Sequence, residues 1–135
     1  MSKICYILRG LPGTGKSMLA KTLMSGAYPK GWGVIFSTDD LFLVDGEYHA
    51  KNLEKATEWM VKHRSVISNA HCIIDNTNTQ HWEYEKYVEA AKEQGFIVQV
   101  ISIDWDAKDI PLYAERNTHG VPIEAIYRMA ARWER

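Results

Sequence analysis

Cysteine is scarce in this 135-residue chain, which holds only Cys5 and Cys72. A small disulfide-stapled secreted scaffold needs more, and both cysteines fall in apolar segments that read as strands. They are expected to be small core hydrophobes, and the cytosol is the expected compartment. Charge of one sign is not in excess either. The formal net charge is −1, so nothing global announces a nucleic-acid binder, while a local basic patch stays open. No apolar run approaches the roughly 20 residues of a membrane span. No basic start followed by an apolar segment is present, so no secretory signal is expected. Repeats, low-complexity tracts and Pro/Ser-rich linkers are missing, and the length suits a single domain over 1–135 with a real core. His49, His63, His71 and His81 lack metal-ligand spacing and are expected at the surface or in loops. Trp59, Trp82, Trp105 and Trp133 are expected to pack rather than stack on bases.

Glycine, by contrast, is placed with purpose. Gly10-Leu11-Pro12-Gly13-Thr14-Gly15-Lys16-Ser17 matches G-x-x-x-x-G-K-[ST], the Walker A phosphate-binding loop. The apolar run Ile4–Leu8 leads into it and the amphipathic stretch Met18–Met24 leads out. A strand, a glycine-rich turn and a helix N-terminus together offer backbone N–H groups and a helix dipole to an anion. Gly10, Gly13 and Gly15 let the backbone approach a triphosphate closely. Candidate nucleotide contacts are Gly10, Pro12, Gly13, Thr14, Gly15, Lys16, Ser17 and Met18. Lys16 is expected to reach the β- and γ-phosphates of ATP, and Ser17 to ligate Mg²⁺.

Strands are expected at Lys3–Leu8, Gly33–Ser37, Cys72–Asp75 and Phe96–Ile103. Helices are expected from Lys16 to about Met24, Asn52 to about Ser68, Gln80 to Gln94, Ile110 to Arg116 and Pro122 to near Trp133. This alternation implies an α/β chain: a P-loop NTPase-type three-layer fold with a mostly parallel four-stranded sheet flanked by helices. Ligands of such sheets bind at the carboxyl ends of the strands. Those ends carry the P-loop, Ser37-Thr38-Asp39-Asp40 and Asp75-Asn76-Thr77-Asn78.

Phosphoryl transfer needs the phosphates held, an acceptor hydroxyl deprotonated, and charge on the transferred group stabilised. Asp75 follows an apolar strand as a Mg²⁺-shell carboxylate does. Asp39 or Asp40 is then the better general base. The loop Arg116–Pro122 is polar and glycine-containing, and suits a lid that brings Arg116 to the phosphates. Arg128, Arg132 and Arg135 recur at helical spacing, as a basic stripe or as a solvated face.

With these residues in hand, the chain resembles the P-loop polynucleotide 5′-hydroxyl kinases and the small kinase-like domains related to them. The shared pattern is G-x-P-G-x-G-K-S, then S-T-D-D, then I-I-D-N-T-N, then R-N-x-x-G-V-P, spanning Ile4 to about Arg132. The resemblance implies Asp39 as general base, Lys16 and Ser17 as the P-loop pair, Asp75 as the metal-side acid and Arg116 as the lid arginine. It also places His119 where phage-type enzymes carry a second lid arginine, and Phe42 where they carry an acceptor-phosphate arginine. Both departures remove fixed positive charge.

The expected function is therefore an ATP- and Mg²⁺-dependent kinase that phosphorylates a hydroxyl, first of all the 5′-OH of RNA or DNA. The catalytic candidates are Lys16, Asp39 and Arg116. Nucleotide contacts include Arg116 and His119 from the lid, and the metal candidates are Ser17 and Asp75. A small-molecule kinase (nucleoside, sugar or antibiotic) and a non-catalytic ATP-binding interaction module remain the alternatives. No membrane association and no obligate protein partner are implied.

Overall fold

The structure, a computed structural model, describes residues 3–25, 33–37, 46–63, 71–117 and 120–135. Four strands are present: β1 (Ile4–Arg9), β2 (Gly33–Ser37), β3 (His71–Asp75) and β4 (Ile97–Ser102). They form one sheet in the order β2-β3-β1-β4, and every neighbouring pair is parallel. Among the described residues five helices accompany them: α1 (Lys16–Met24), α2 (Gly46–His63), α3 (Glu85–Glu93), α4 (Ile110–Arg116) and α5 (Ile123–Ala131).

Both faces of β1 and β3 are covered, which is why they read as continuous apolar runs. Alternation along each strand sorts the side chains. Cys5 and Ile7 of β1, with Cys72 and Ile74 of β3, pack against Ala56 and Met60 of α2 and Tyr87 and Ala91 of α3. Each of those helical pairs is spaced i, i+4, so it presents one face to the sheet. Leu8 and Ile73 point the other way, onto Ala20 of α1. A third cluster joins Leu11 of the glycine-rich loop to Ile110 and Tyr113 of α4 and to Ala125, Ile126 and Met129 of α5. The α4–α5 pair is thus docked on the loop itself.

Cys5 and Cys72 are register partners on neighbouring strands. Both are free and buried, as core hydrophobes should be. The hydrogen bond with Cys5, followed by burial and the Cys5 charge, pushes the Cys72 thiol well above its ordinary range. No helix among the described residues is long and apolar enough to cross a membrane.

Several elements differ from the sequence expectation. Helix α2 begins at Gly46, ahead of the expected Asn52, because its apolar stripe starts only at Leu53. The expected extension to Ser68 falls outside the described residues. The expected helix over Gln80–Gln94 is broken into a 3-10 turn, His81–Glu83, and α3. Ahead of the turn, the Glu83 carboxylate accepts from Thr79 N (3.0 Å) and Thr79 Oγ1 (2.8 Å). His71 is not a surface residue. It is 6% exposed, its Nδ1 lies 3.2 Å from the Leu23 carbonyl, and its ring meets Tyr6 edge-on. Trp82 does not pack as expected: it is exposed and its indole N–H donates to Gln80 Oε1.

Candidate active site

Strand β1 delivers the chain to the glycine-rich loop, and α1 begins inside the motif, at Lys16. Gly15 precedes α1 in the left-handed region at φ 93°, which a residue with a Cβ adopts only with strain. Thr14 folds back on the loop: its N–H and its Oγ1 both donate to the Leu11 carbonyl. The first-turn N–H groups of α1 have no partners within the helix and constitute the anion-facing end.

Gly13 is required for a reason the sequence reading did not contain. A Cβ there would stand 2.0 Å from the Tyr113 carbonyl oxygen, and its φ is +85°. The backbone of α4 therefore lies directly on the loop, and Arg116 sits one turn beyond that contact. Arg116 is exposed at the end of α4. Asn117 pins the following connection. Its Oδ1 accepts from Val121 N (2.9 Å), and its Nδ2 donates to Ala114 O (2.8 Å) and Val121 O (3.3 Å). His119 lies outside the described residues.

The two P-loop side chains meet a single carboxylate. The Lys16 ammonium is 3.1 Å from Asp75 Oδ1, and the Ser17 hydroxyl donates to Asp75 Oδ2 at 3.2 Å. Lys16 and Asp75 are only 6% and 5% exposed, so this is a buried ion pair held in place by the fold. A hydroxyl and a carboxylate oxygen at this separation are the hard oxygen donors that suit Mg²⁺, which commonly takes one or two protein carboxylates and completes its shell from phosphates and water. Among the described residues no group of three or more His, Cys, Asp or Glu is placed to hold a metal. Ser37 is the register partner of Asp75, which brings the end of β2 beside it. Asp39 follows two residues later. Asp39, Asp40 and Phe42 lie outside the described residues.

The sequence reading missed Arg9 and Glu83, and named Asn78 only as part of the cluster at the end of β3. All three are buried and all bear on the loop after Asp75. A charged residue closing an apolar strand directly before the glycine-rich loop was the available signal for Arg9. The arginines near the chain end do not form the stripe their spacing suggested. Helix α5 ends at Ala131, so Arg132 and Arg135 lie beyond it. Arg132 Nε donates to Thr79 Oγ1, and Arg135 lines a cleft of about 160 Å³ with Arg9, Trp105 and Trp133.

Comparison with known proteins bears on the family and the fold. Human NEDD4-binding protein 2 is 40% identical over 139 residues, covering 98% of this chain and 8% of that protein. This chain therefore corresponds to less than a tenth of that relative's length. Among solved structures, the Pnkp1/Rnl/Hen1 RNA repair complex aligns at a TM-score of 0.65 with 20% identity, over 97% of this chain and 44% of that one. A gluconokinase from Sinorhizobium meliloti aligns at 0.64 with 14% identity, over 98% and 75%. At such identities the two structures speak for the fold alone, a P-loop kinase-like one. The family model described as an AAA domain matches residues 6–135, and the chain belongs to that P-loop kinase-like family.

Proposed function

We propose that this chain is an ATP-dependent phosphotransferase that moves the γ-phosphate to a hydroxyl, with the 5′-OH of RNA or DNA as acceptor. The observation that carries this reading is the convergence of Lys16 and Ser17 on the two oxygens of Asp75. It supports a site that exchanges partners when nucleotide arrives. Lys16 leaves Asp75 for the β- and γ-phosphate oxygens, and the α1 N-terminus takes the remaining phosphate charge. Ser17 and Asp75 would hold Mg²⁺, which would supply charge neutralisation at the phosphates.

Asp39 accepts the proton of the acceptor hydroxyl as its oxygen bonds to the γ-phosphorus and the bond to the β–γ bridging oxygen breaks. ADP leaves with the bridging oxygen. Arg116 stabilises the charge on the phosphoryl in flight, and the resemblance gives His119 the second lid position. The polynucleotide acceptor rests on the S-T-D-D and R-N-x-x-G-V-P pattern, together with the likeness in fold to an RNA repair structure. The gluconokinase likeness is equally strong, so a small-molecule acceptor is the second reading.

The test offers 5′-hydroxyl RNA, 5′-hydroxyl DNA and a nucleoside and sugar panel to the protein with γ-labelled ATP and Mg²⁺. Label on an oligonucleotide end, lost in Asp39→Ala, is the expected result. Label only on a small molecule would replace the acceptor. No label anywhere, with ATP still bound, would leave a non-catalytic ATP-binding module.

A further inference from the structure

Arg9 closes β1 and directly precedes the first glycine of the phosphate loop. It is 4% exposed, and a guanidinium stays charged even when buried. A buried charge is normally paired, yet among the described residues no carboxylate forms an ion pair with Arg9. Carbonyls, ring faces and the Ser102 hydroxyl, 3.5 Å from Nη1, meet it instead. Nε donates to Asn78 O at 2.8 Å. Nη2 donates to Thr79 O at 3.1 Å and to the Glu134 carbonyl. The guanidinium carbon lies 5.1 Å from the Tyr84 ring centroid and 4.6 Å from that of Trp133.

Two of those carbonyls belong to the loop that continues from Asp75. The same loop is tied once more to β1 and once to the first residue of the phosphate loop. Asn78 Nδ2 donates to Leu8 O at 2.8 Å, and Gly10 N donates to Thr77 O at 3.1 Å. Asn78 adopts φ 49°, a left-handed conformation that asparagine tolerates better than most residues. The segment after α5 grips the loop from outside, through Glu134 N to Thr79 O (2.7 Å) and Arg132 Nε to Thr79 Oγ1 (3.1 Å). The phosphate loop and the loop after Asp75 are thereby fastened to each other at their first residues.

We propose that Arg9, together with Asn78, is a positioning residue for the Asp75 carboxylate. The inference rests on the Mg²⁺-site reading of Ser17 and Asp75 above. Strand pairing fixes the Asp75 backbone from both sides, through Leu8 of β1 and Ser37 of β2, but Asp75 is the last residue of β3. Beyond it, Arg9 and Asn78 are the side chains that hold residues 78 and 79 against β1, and through that loop they bear on the separation between Asp75 Oδ2 and the Ser17 hydroxyl. Lysine at position 9 keeps the charge but lacks the planar fork that reaches several carbonyls at once.

The test measures ATP binding by wild type and Arg9→Lys across a Mg²⁺ titration, with hydrogen exchange of the peptide covering residues 76–79. Arg9→Lys is expected to keep Mg²⁺-free ATP affinity within about twofold. The Mg²⁺ needed for half-maximal enhancement should rise about tenfold, and exchange over 76–79 should speed up. A merely structural arginine would lower the melting temperature and leave the Mg²⁺ requirement of the folded protein unchanged. That result overturns the proposal while the site reading stands. Wild-type binding indifferent to Mg²⁺ would overturn the site reading and the proposal together. Should Arg9→Lys not fold, Asn78→Gly keeps the left-handed backbone, removes the bond to Leu8, and is expected to raise the Mg²⁺ requirement in the same direction.

Discussion

Lys16 and Asp75 form a buried ion pair at 3.1 Å, although 58 positions separate Asp75 from Lys16's neighbour Ser17, which bonds the other carboxylate oxygen. The pair holds a lysine charge inside the fold at the mouth of a phosphate loop. Burial of both partners makes each dependent on the other, because removing one leaves the other desolvated without compensation.

Asp75→Asn should therefore act in two ways. Loss of the carboxylate leaves Lys16 buried beside a neutral amide, and stability should fall by about 3 kcal/mol, the low end for a broken buried pair. The Mg²⁺ dependence of ATP binding should also be blunted. Chemical unfolding combined with a Mg²⁺ titration checks both. An unchanged Mg²⁺ dependence would remove Asp75 from the metal site.

Gly13→Ala should disturb α4 as well as phosphate binding. The new Cβ meets the Tyr113 carbonyl at 2.0 Å, which is backbone and cannot simply rotate away. A destabilisation of about 1–3 kcal/mol is expected, as for a strained backbone site. Thermal unfolding reads it, and a melting temperature equal to wild type would show that α4 is not docked on the loop.

Arg116→Ala tests the lid. Arg116 is exposed, so stability should stay within about 0.5 kcal/mol of wild type. The transfer rate should fall by about ten- to a thousandfold if Arg116 meets developing charge. An unchanged rate makes it a bystander.

The Cys72 thiol gives a pH signature. Its folded-state proton is held more tightly than in the unfolded chain, chiefly by the bond with Cys5 and by burial. Above the unfolded thiol value of about 8.5, the unfolded chain loses this proton and the folded one keeps it. Stability should then fall as pH rises through that range. Urea midpoints at neutral and alkaline pH, compared with Cys72→Ala, isolate the contribution. An equal alkaline loss in both proteins would assign it elsewhere.

What the sequence disclosed and what it hid divide along physical lines. The loop, the start of α1 and the strands beside it were legible because motif spacing and apolar runs are local signals. Asp75 was legible because a carboxylate closing an apolar strand is conspicuous. Arg9 was not, because its partners Asn78, Thr79 and Glu134 lie 69, 70 and 125 positions away. Glu83 fell inside the expected helix Gln80–Gln94, and its reach to Thr79, only four residues back, is a local contact the sequence reading passed over. The start of α2 was missed because the residues before Leu53 carry no apolar periodicity. Gly13 was assigned to phosphate approach, whereas its Cβ position is also occupied by a helix that only the tertiary structure brings there.

The measurement that bears most directly on the central claim is calorimetric titration of ATP into wild type and Lys16→Ala, each with Mg²⁺ and with EDTA. The account predicts Mg²⁺-enhanced binding by wild type and a loss of about a hundredfold or more in Lys16→Ala, the loss expected when a buried charge-assisted phosphate contact is removed. Equal affinity in the two proteins, or affinity indifferent to Mg²⁺, would contradict a nucleotide site built from Lys16, Ser17 and Asp75.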